Sequence, residues 1–267
     1  MSNNLDFGQC HICGMITKLT FEHVPPRKAF NDKPVLYHKI EEILGKEEED
    51  FSPGRKSQLG VGAYTLCGKC NNDTGAWYGS AFVNWAWQGM DWIHASGGNS
   101  VLYLNFNIFP LRVIKQIICL FCSVNGSQWT GADLRRFLLN KKLSHIPGNW
   151  RVFAFFNTSP RIRQMGIVGQ VNLTTNKIAA FSEITFPPFG YVITRQPEPP
   201  DPRLQDITFF GRYLYNDWKT IPLKLPLLPV PTFLSADYRT KEQVDKDVAE
   251  NKRYMLEHGL TVLRPKS

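Results

Sequence analysis

Cys67-Gly68-Lys69-Cys70-Asn71-Asn72 stands between two readable patterns. Before it, residues 61–66 form a short β-prone run. After it, Trp77, Ala81, Phe82, Trp85, Ala86, Met90 and Ile93 recur at helical spacing, which predicts a helix over about 74–94. Far upstream, Cys10-His11-Ile12-Cys13 repeats the CxxC spacing and precedes a second β-prone run, 16–24, closed by Pro25-Pro26. The predicted order is strand, loop, strand, helix, with the CxxC pairs bracketing the strands.

Cys10, Cys13, Cys67 and Cys70 are a ligand set for tetrahedral Zn²⁺, which is soft enough for thiolate sulfur and has no redox liability. Two residues between paired cysteines allow a knuckle whose amides face sulfur, and Gly68 is expected to ease that turn. The intervening segment is long, so the metal closes a large loop and stabilises an otherwise thin unit. The competing reading is four unligated buried cysteines. A third pair, Cys119 and Cys122, lies in an apolar run and reads as core packing.

The chain has 267 residues, 43% hydrophobic and 20% charged, which excludes global disorder. No export signal is expected from Met1-Ser2-Asn3-Asn4-Leu5, and with six cysteines in so long a chain this argues against a disulfide framework and for a cytoplasmic setting. The most apolar stretch, 101–124, is interrupted by Pro110, Arg112 and Lys115, and so reads as a buried element and not a membrane span. The net charge of +8 is unevenly placed. Residues 1–100 carry 9 basic and 11 acidic side chains, and residues 101–267 carry 22 and 12. The step falls at Ser96-Gly97-Gly98-Asn99-Ser100, a candidate linker. Two domains are therefore expected: 1–98, with an acidic insertion at 31–60 that includes Glu47-Glu48-Glu49-Asp50, and a basic accessory domain, 99–267. In the latter, helices are expected at 111–124 and 131–143, strands at 150–157, 165–173, 177–185 and 191–195, Pro-rich breaks at 197–202 and 222–231, and a charged helical tail at 236–258.

Between the cysteine pairs lies Leu19-Thr20-Phe21-Glu22-His23-Val24-Pro25-Pro26. An acidic residue before a histidine at a strand end, a following proline, and CxxC-Asn opening a helix together resemble the HNH endonucleases, the ββα-metal or His-Me finger family. The resemblance covers residues 10–75. It implies an α+β chain with an N-terminal ββα-metal unit braced by a four-cysteine zinc site and a mixed accessory domain. It also implies His23 as general base, Glu22 and Asn71 as ligands of one catalytic Mg²⁺ or Mn²⁺, and products with a 5′-phosphate and a 3′-hydroxyl. Where the family places its middle asparagine this chain has Gly62, and the lysine usual after the last cysteine is absent from Asn71-Asn72-Asp73-Thr74-Gly75.

The chemistry agrees independently of the resemblance. Phosphodiester hydrolysis needs a base for water and a cation for the pentacovalent phosphorane. Neutral His23 accepts a proton at pH 7, and carboxylate and amide oxygens suit hard divalent cations. Adjacent strand residues point to opposite faces, so Glu22 and His23 are expected to need a distorted strand end to serve one site. The alternative for Asn71 is helix capping, with Asn72 the better cap. Arg27 and Lys28 follow the site closely enough to hold a substrate backbone, or are solvated charges. Arg135, Arg136, Lys141 and Lys142 fall on one predicted helix whose basic face would meet nucleic-acid phosphates. His11 finds no vacancy among four thiolates, and nothing in the sequence assigns a role to His38, His94, His145 or His258. The expected function is a DNA-directed endonuclease acting on duplex DNA, in an architecture that would suit a restriction or phage-defence effector. An inactive zinc module for nucleic acid or protein, and an RNA-cleaving toxin, are the alternatives.

Overall fold

The computed structural model describes residues 6–38, 54–97, 101–158, 162–172 and 177–228, together with Lys246, Ala249, Arg253 and Glu257, which are helical. The acidic run at 47–50, residues 98–100 of the expected linker and most of the expected tail lie outside the described residues. The fold is mixed, with mostly sheet and a few helices, as the α+β expectation requires.

Strands β1 (Phe7–Gln9), β2 (Ile16–His23) and β5 (Gly62–Cys67) form an antiparallel sheet in the order β1-β2-β5, while β3 (Val35–Tyr37) and β4 (Arg55–Ser57) pair as a separate ribbon. Strand β5 runs directly into α1 (Gly68–Thr74), which continues through a π-helical turn, Gly75–Gly79, into α2 (Ser80–Ala95). The helix begins earlier than its apolar periodicity suggests because Cys67 is its N-cap: the Cys67 sulfur accepts the Cys70 N–H at 3.4 Å.

The stretch 101–124 is two elements. Val101–Ile108 forms β6, and Pro110 then occupies the first turn of α3 (Pro110–Asn125), where its missing N–H costs nothing. Helix α3 is buried around nearly its whole circumference, from Val113 through Ser123, and is the centre of the molecule. Cys119 and Cys122 are fully buried on it, as packing predicts. Helix α4 (Ala132–Leu139) stops short of the expected 143, leaving Lys141 and Lys142 off the helix. Asn140 ends it: its side-chain oxygen accepts the Lys142 N–H at 3.1 Å and competes with further helix.

Strands β7 (Arg151–Phe156), β8 (Arg163–Asn172), β9 (Lys177–Phe186), β10 (Phe189–Thr194) and β11 (Gln205–Asp206) make a second antiparallel sheet in the order β11-β7-β10-β9-β8. A 3₁₀ turn, Thr208–Arg212, follows. Part of the expected Pro-rich break at 222–231 is strand instead: β12 (Lys219–Pro226) pairs with β6 along its length. Pro222 is tolerated because this sheet has two strands and every strand in it is an edge; the sequence alternates around it, with Ile221, Leu223 and Leu225 buried.

One apolar core joins both sides of the charge step. It runs from Cys10, Ile12 and Leu66 through Trp85 and α3 to Ile193, Phe210 and Leu225. The expected boundary at residue 98 therefore coincides with no break in packing, and α2 is a shared core element. Its Trp85 indole stacks on Phe189 at 4.4 Å between centroids and donates to the Tyr191 hydroxyl at 2.8 Å. Lys115 of α3 is also fully buried, its Nζ donating to the carbonyls of Phe137 and Asn140 at 2.7 Å each. Burial pulls its pKa down to about 7, and the neutral amine still has enough hydrogens for both bonds. Among the described residues, no helix is long and apolar enough to cross a membrane.

Candidate functional site

The four sulfurs of Cys10, Cys13, Cys67 and Cys70 lie within 4.8 Å of one another, and the cluster could bind a metal ion. Cys13 and Cys67 are 3.9 Å apart, close to the roughly 3.8 Å edge of a tetrahedron with metal–sulfur bonds of about 2.3 Å. The two CxxC pairs are built differently. Cys10-His11-Ile12-Cys13 is a tight turn closed by the Gly14 N–H on the Cys10 carbonyl, 2.8 Å, with Gly14 at φ +77°. In the second pair the helix N-terminus supplies the geometry, and Gly68 is simply the first helical residue. The Cys10 thiol is drawn down to about pKa 4 by the Cys70 thiol, with help from the Cys67, Cys13 and Ile12 backbone, whereas Cys70 is pushed up by the same pairing and by burial.

The knuckle is braced by two residues whose role the sequence does not announce. His11 places Nδ1 3.0 Å from the Ser123 carbonyl and 3.2 Å from that of Cys122, at the end of α3. Arg135 donates its Nε to the Ile12 carbonyl at 2.8 Å and packs against Gly14. Arg135 is thereby engaged within the fold, while Arg136 and Lys142 are exposed. Lys141 lies over the rings of Trp77 and Tyr215, at 5.8 and 5.5 Å.

Strand β2 carries Glu22 and His23. Its irregularity lies between Thr20 and Phe21, and residues 22 and 23 stay in register with Ala63 and Gly62. The carboxylate and the imidazole consequently approach the strand end from its two faces, and not from one face through a distortion at 22–23. Phe21 and His23 meet edge to face at 5.0 Å, with Tyr64 against Phe21 at 5.7 Å. Glu22 points the other way. It is 8% exposed, close enough to Cys119 of α3 to raise that thiol's pKa, and no group among the described residues donates a hydrogen bond to its carboxylate. Burial raises its pKa to about 8.

Asn71 in α1 donates its amide to the Thr20 hydroxyl at 3.0 Å and to the Phe21 carbonyl at 3.2 Å. The helix start is thus tied to the backbone next to Glu22, and the Asn71 Oδ1 has no hydrogen-bond partner among the described residues. Asn71 is not a helix cap; Cys67 is.

His23 is partly buried, and its pKa is lowered, chiefly by desolvation and further by the Arg27 charge, against a backbone hydrogen bond at Leu59 that favours the charged ring. Leu59 precedes the segment that holds Gly62. A side chain at 62 is impossible here: a Cβ would collide with the Glu22 carbonyl and the Phe21 ring. That segment is held by other means. Asn31, 1% exposed, donates to the carbonyls of Pro25 and Val61 and accepts the Val61 N–H, each at 2.7 Å. The Tyr37 hydroxyl accepts the Gly62 N–H at 3.0 Å. Neither Asn31 nor a backbone carbonyl stands out in the sequence. Arg27 and Lys28 are exposed beside this loop, and the Lys28 carbonyl accepts the Trp87 indole N–H at 3.2 Å.

No family model matches the chain, and neither a curated protein nor a solved structure matches it.

Proposed function

We propose that this chain is a metal-dependent endonuclease of the HNH type that hydrolyses phosphodiester bonds in DNA. The observation that carries the proposal is the pinning of Asn71, by a helix that starts inside the cysteine cluster, to the strand residue that precedes Glu22 and His23. A buried carboxylate without a donor and an amide oxygen without a partner, both among the described residues, are the groups a hard cation needs.

In this reading the cysteine cluster holds a structural Zn²⁺, and Glu22 with Asn71 holds Mg²⁺ or Mn²⁺, which would offset the charge that builds on the phosphate during hydrolysis. His23 is the base. Its lowered pKa keeps it neutral at pH 7, so a ring nitrogen can take the proton of the attacking water. The backbone at Leu59, whose contact favours the charged ring, would help orient it where position 62 can carry no side chain. Arg27 and Lys28, both exposed, would hold the strand backbone.

The test is digestion of supercoiled plasmid and of RNA, in parallel, by zinc-loaded protein titrated with Mg²⁺ and Mn²⁺. Metal-dependent nicking of the plasmid supports the reading. Cleavage of RNA alone would move the activity to an RNA-directed enzyme, and binding without cleavage would leave a zinc module.

A further inference from the structure

Away from the cysteine cluster, the loop after α4, the start of β7, the end of β10 and the 3₁₀ turn line an open cavity of about 450 Å³. Its lining includes Arg151, Arg195, Arg212, His145, Asn149 and Trp150. Three arginines and a histidine thus line one concavity. Among the described residues a single carboxylate answers them: Asp206, which pairs with Arg151. Arg195 and Arg212 are exposed and pair with no acid among those residues; Arg195 lies over the Trp150 ring at 4.6 Å, so its position is fixed by the indole and its N–H groups are left for another partner. The Nε of Arg151 is buried with no hydrogen-bond partner among the described residues.

The backbone around the cavity is also unusual. His145 has φ +66°, a conformation costly for a residue with a Cβ, and is held there by its N–H on the Gly211 carbonyl at 2.6 Å. Gly211 admits this docking, since a Cβ there would run into Ile146. The loop is therefore pressed against the 3₁₀ turn in a strained form that keeps the basic residues together.

We infer that this cavity binds the phosphate of a nucleotide, with Arg195 and Arg212 as the principal ligands and Arg151 behind them. Arginine is suited to phosphate because its planar fork donates two parallel bonds to two oxygens. The volume is in the range of small-ligand sites, and a bare phosphate would occupy only a small part of it. Asn149, exposed on the rim, is placed to meet the rest of the nucleotide. The same chemistry is offered by a free nucleotide and by the terminal unit of a strand. The inference is independent of the nuclease reading, because it rests on other residues and on binding alone.

The test is isothermal titration of the full zinc-loaded chain with AMP, ATP, a 5′-phosphorylated ten-nucleotide single strand and inorganic phosphate. Wild type, Arg195→Gln, Arg212→Gln and the double variant are compared, with Lys18→Gln as an exposed control outside the cavity. Each cavity substitution is expected to weaken nucleotide binding roughly tenfold or more and the double variant further, as loss of charge-assisted hydrogen bonds implies, while Lys18→Gln binds like wild type. Both arginines are exposed, so circular dichroism should find the variants folded. Dependence on these arginines with AMP or ATP identifies a free nucleotide, and dependence with the oligonucleotide alone identifies a strand end. Absence of binding by every probe, equal affinity for inorganic phosphate, or nucleotide binding that survives the double substitution would overturn the inference.

Discussion

Replacing Glu22 by Gln should stabilise the protein while removing the proposed nuclease activity. The Glu22 carboxyl is buried without a donor among the described residues, and its pKa rises from 4.5 to about 8 through loss of water. In the unfolded chain the group ionises near 4.5, whereas the folded chain keeps it protonated to about 8. Between these values unfolding releases a proton, so the stability that protonated Glu22 contributes is complete below pH 4.5 and is lost as pH rises through about 8. At about 1.36 kcal/mol per pH unit, the loss reaches up to roughly 3 kcal/mol at pH 7 and on the order of 4–5 kcal/mol above pH 8. Glutamine has nearly the same shape and does not titrate, so Glu22→Gln lacks this slope. His23 contributes the opposite slope at acid pH, since its pKa is lowered, but equally in both proteins. Urea unfolding of wild type and Glu22→Gln, zinc-loaded and free of Mg²⁺, from pH 5 to 9 reads the difference directly. Midpoints should coincide near pH 5 and diverge with rising pH, and Mg²⁺ or Mn²⁺ should raise the wild-type midpoint alone. Parallel profiles would refute the assignment of Glu22 as a buried carboxyl awaiting a cation.

Other perturbations have equally definite outcomes. Elemental analysis should find about one zinc per chain, and Cys67→Ser should lose it and destabilise the entire chain by several kcal/mol, because one core spans both halves; a calorimetric transition confined to the N-terminal residues would contradict that. Lys115→Met leaves the Phe137 carbonyl without a donor and the Asn140 carbonyl with the Leu143 N–H alone, and should cost about 1–3 kcal/mol by urea midpoint. Arg135→Ala should weaken the cysteine knuckle by about 1–3 kcal/mol and speed release of a metal bound there to a chelator, whereas Arg136→Ala should leave release unchanged.

Much of the fold was legible where a single physical signal dominated. The regular alternation and turn residues of the second half placed β7 to β10 within a few residues, and the CxxC pairs assembled as their spacing requires. The reading faltered where two signals competed. Pro222 looked like a break because a proline cannot donate to a central strand, yet β12 is an edge and needs no donor there. The helix after Pro110 is expected from residue 111, but no strand is read at 101–108, where β6 forms. The charge step at 98 is a surface property, whereas domain limits follow the core, which the step does not divide. At the candidate site, Glu22, His23 and Asn71 carry local sequence signals. Asn31, the Leu59 carbonyl and the bracing by His11 and Arg135 do not, since each depends on contacts made across the fold.

The most direct measurement is plasmid nicking by zinc-loaded His23→Ala protein across a titration of Mg²⁺ and Mn²⁺, beside wild type and Asn71→Ala. His23 is outside the cysteine cluster, so the variant should keep its zinc and its circular dichroism. Loss of the base is expected to lower cleavage by about 10²–10⁴-fold at every metal concentration, whereas Asn71→Ala should recover part of its loss as metal is raised. Wild-type nicking should also fall at acid pH as His23 takes up a proton, at a pH below the ordinary histidine range because its pKa is lowered. Undiminished cleavage by a folded, zinc-loaded His23→Ala protein would contradict the assignment of His23 as the base, and with it the nuclease mechanism.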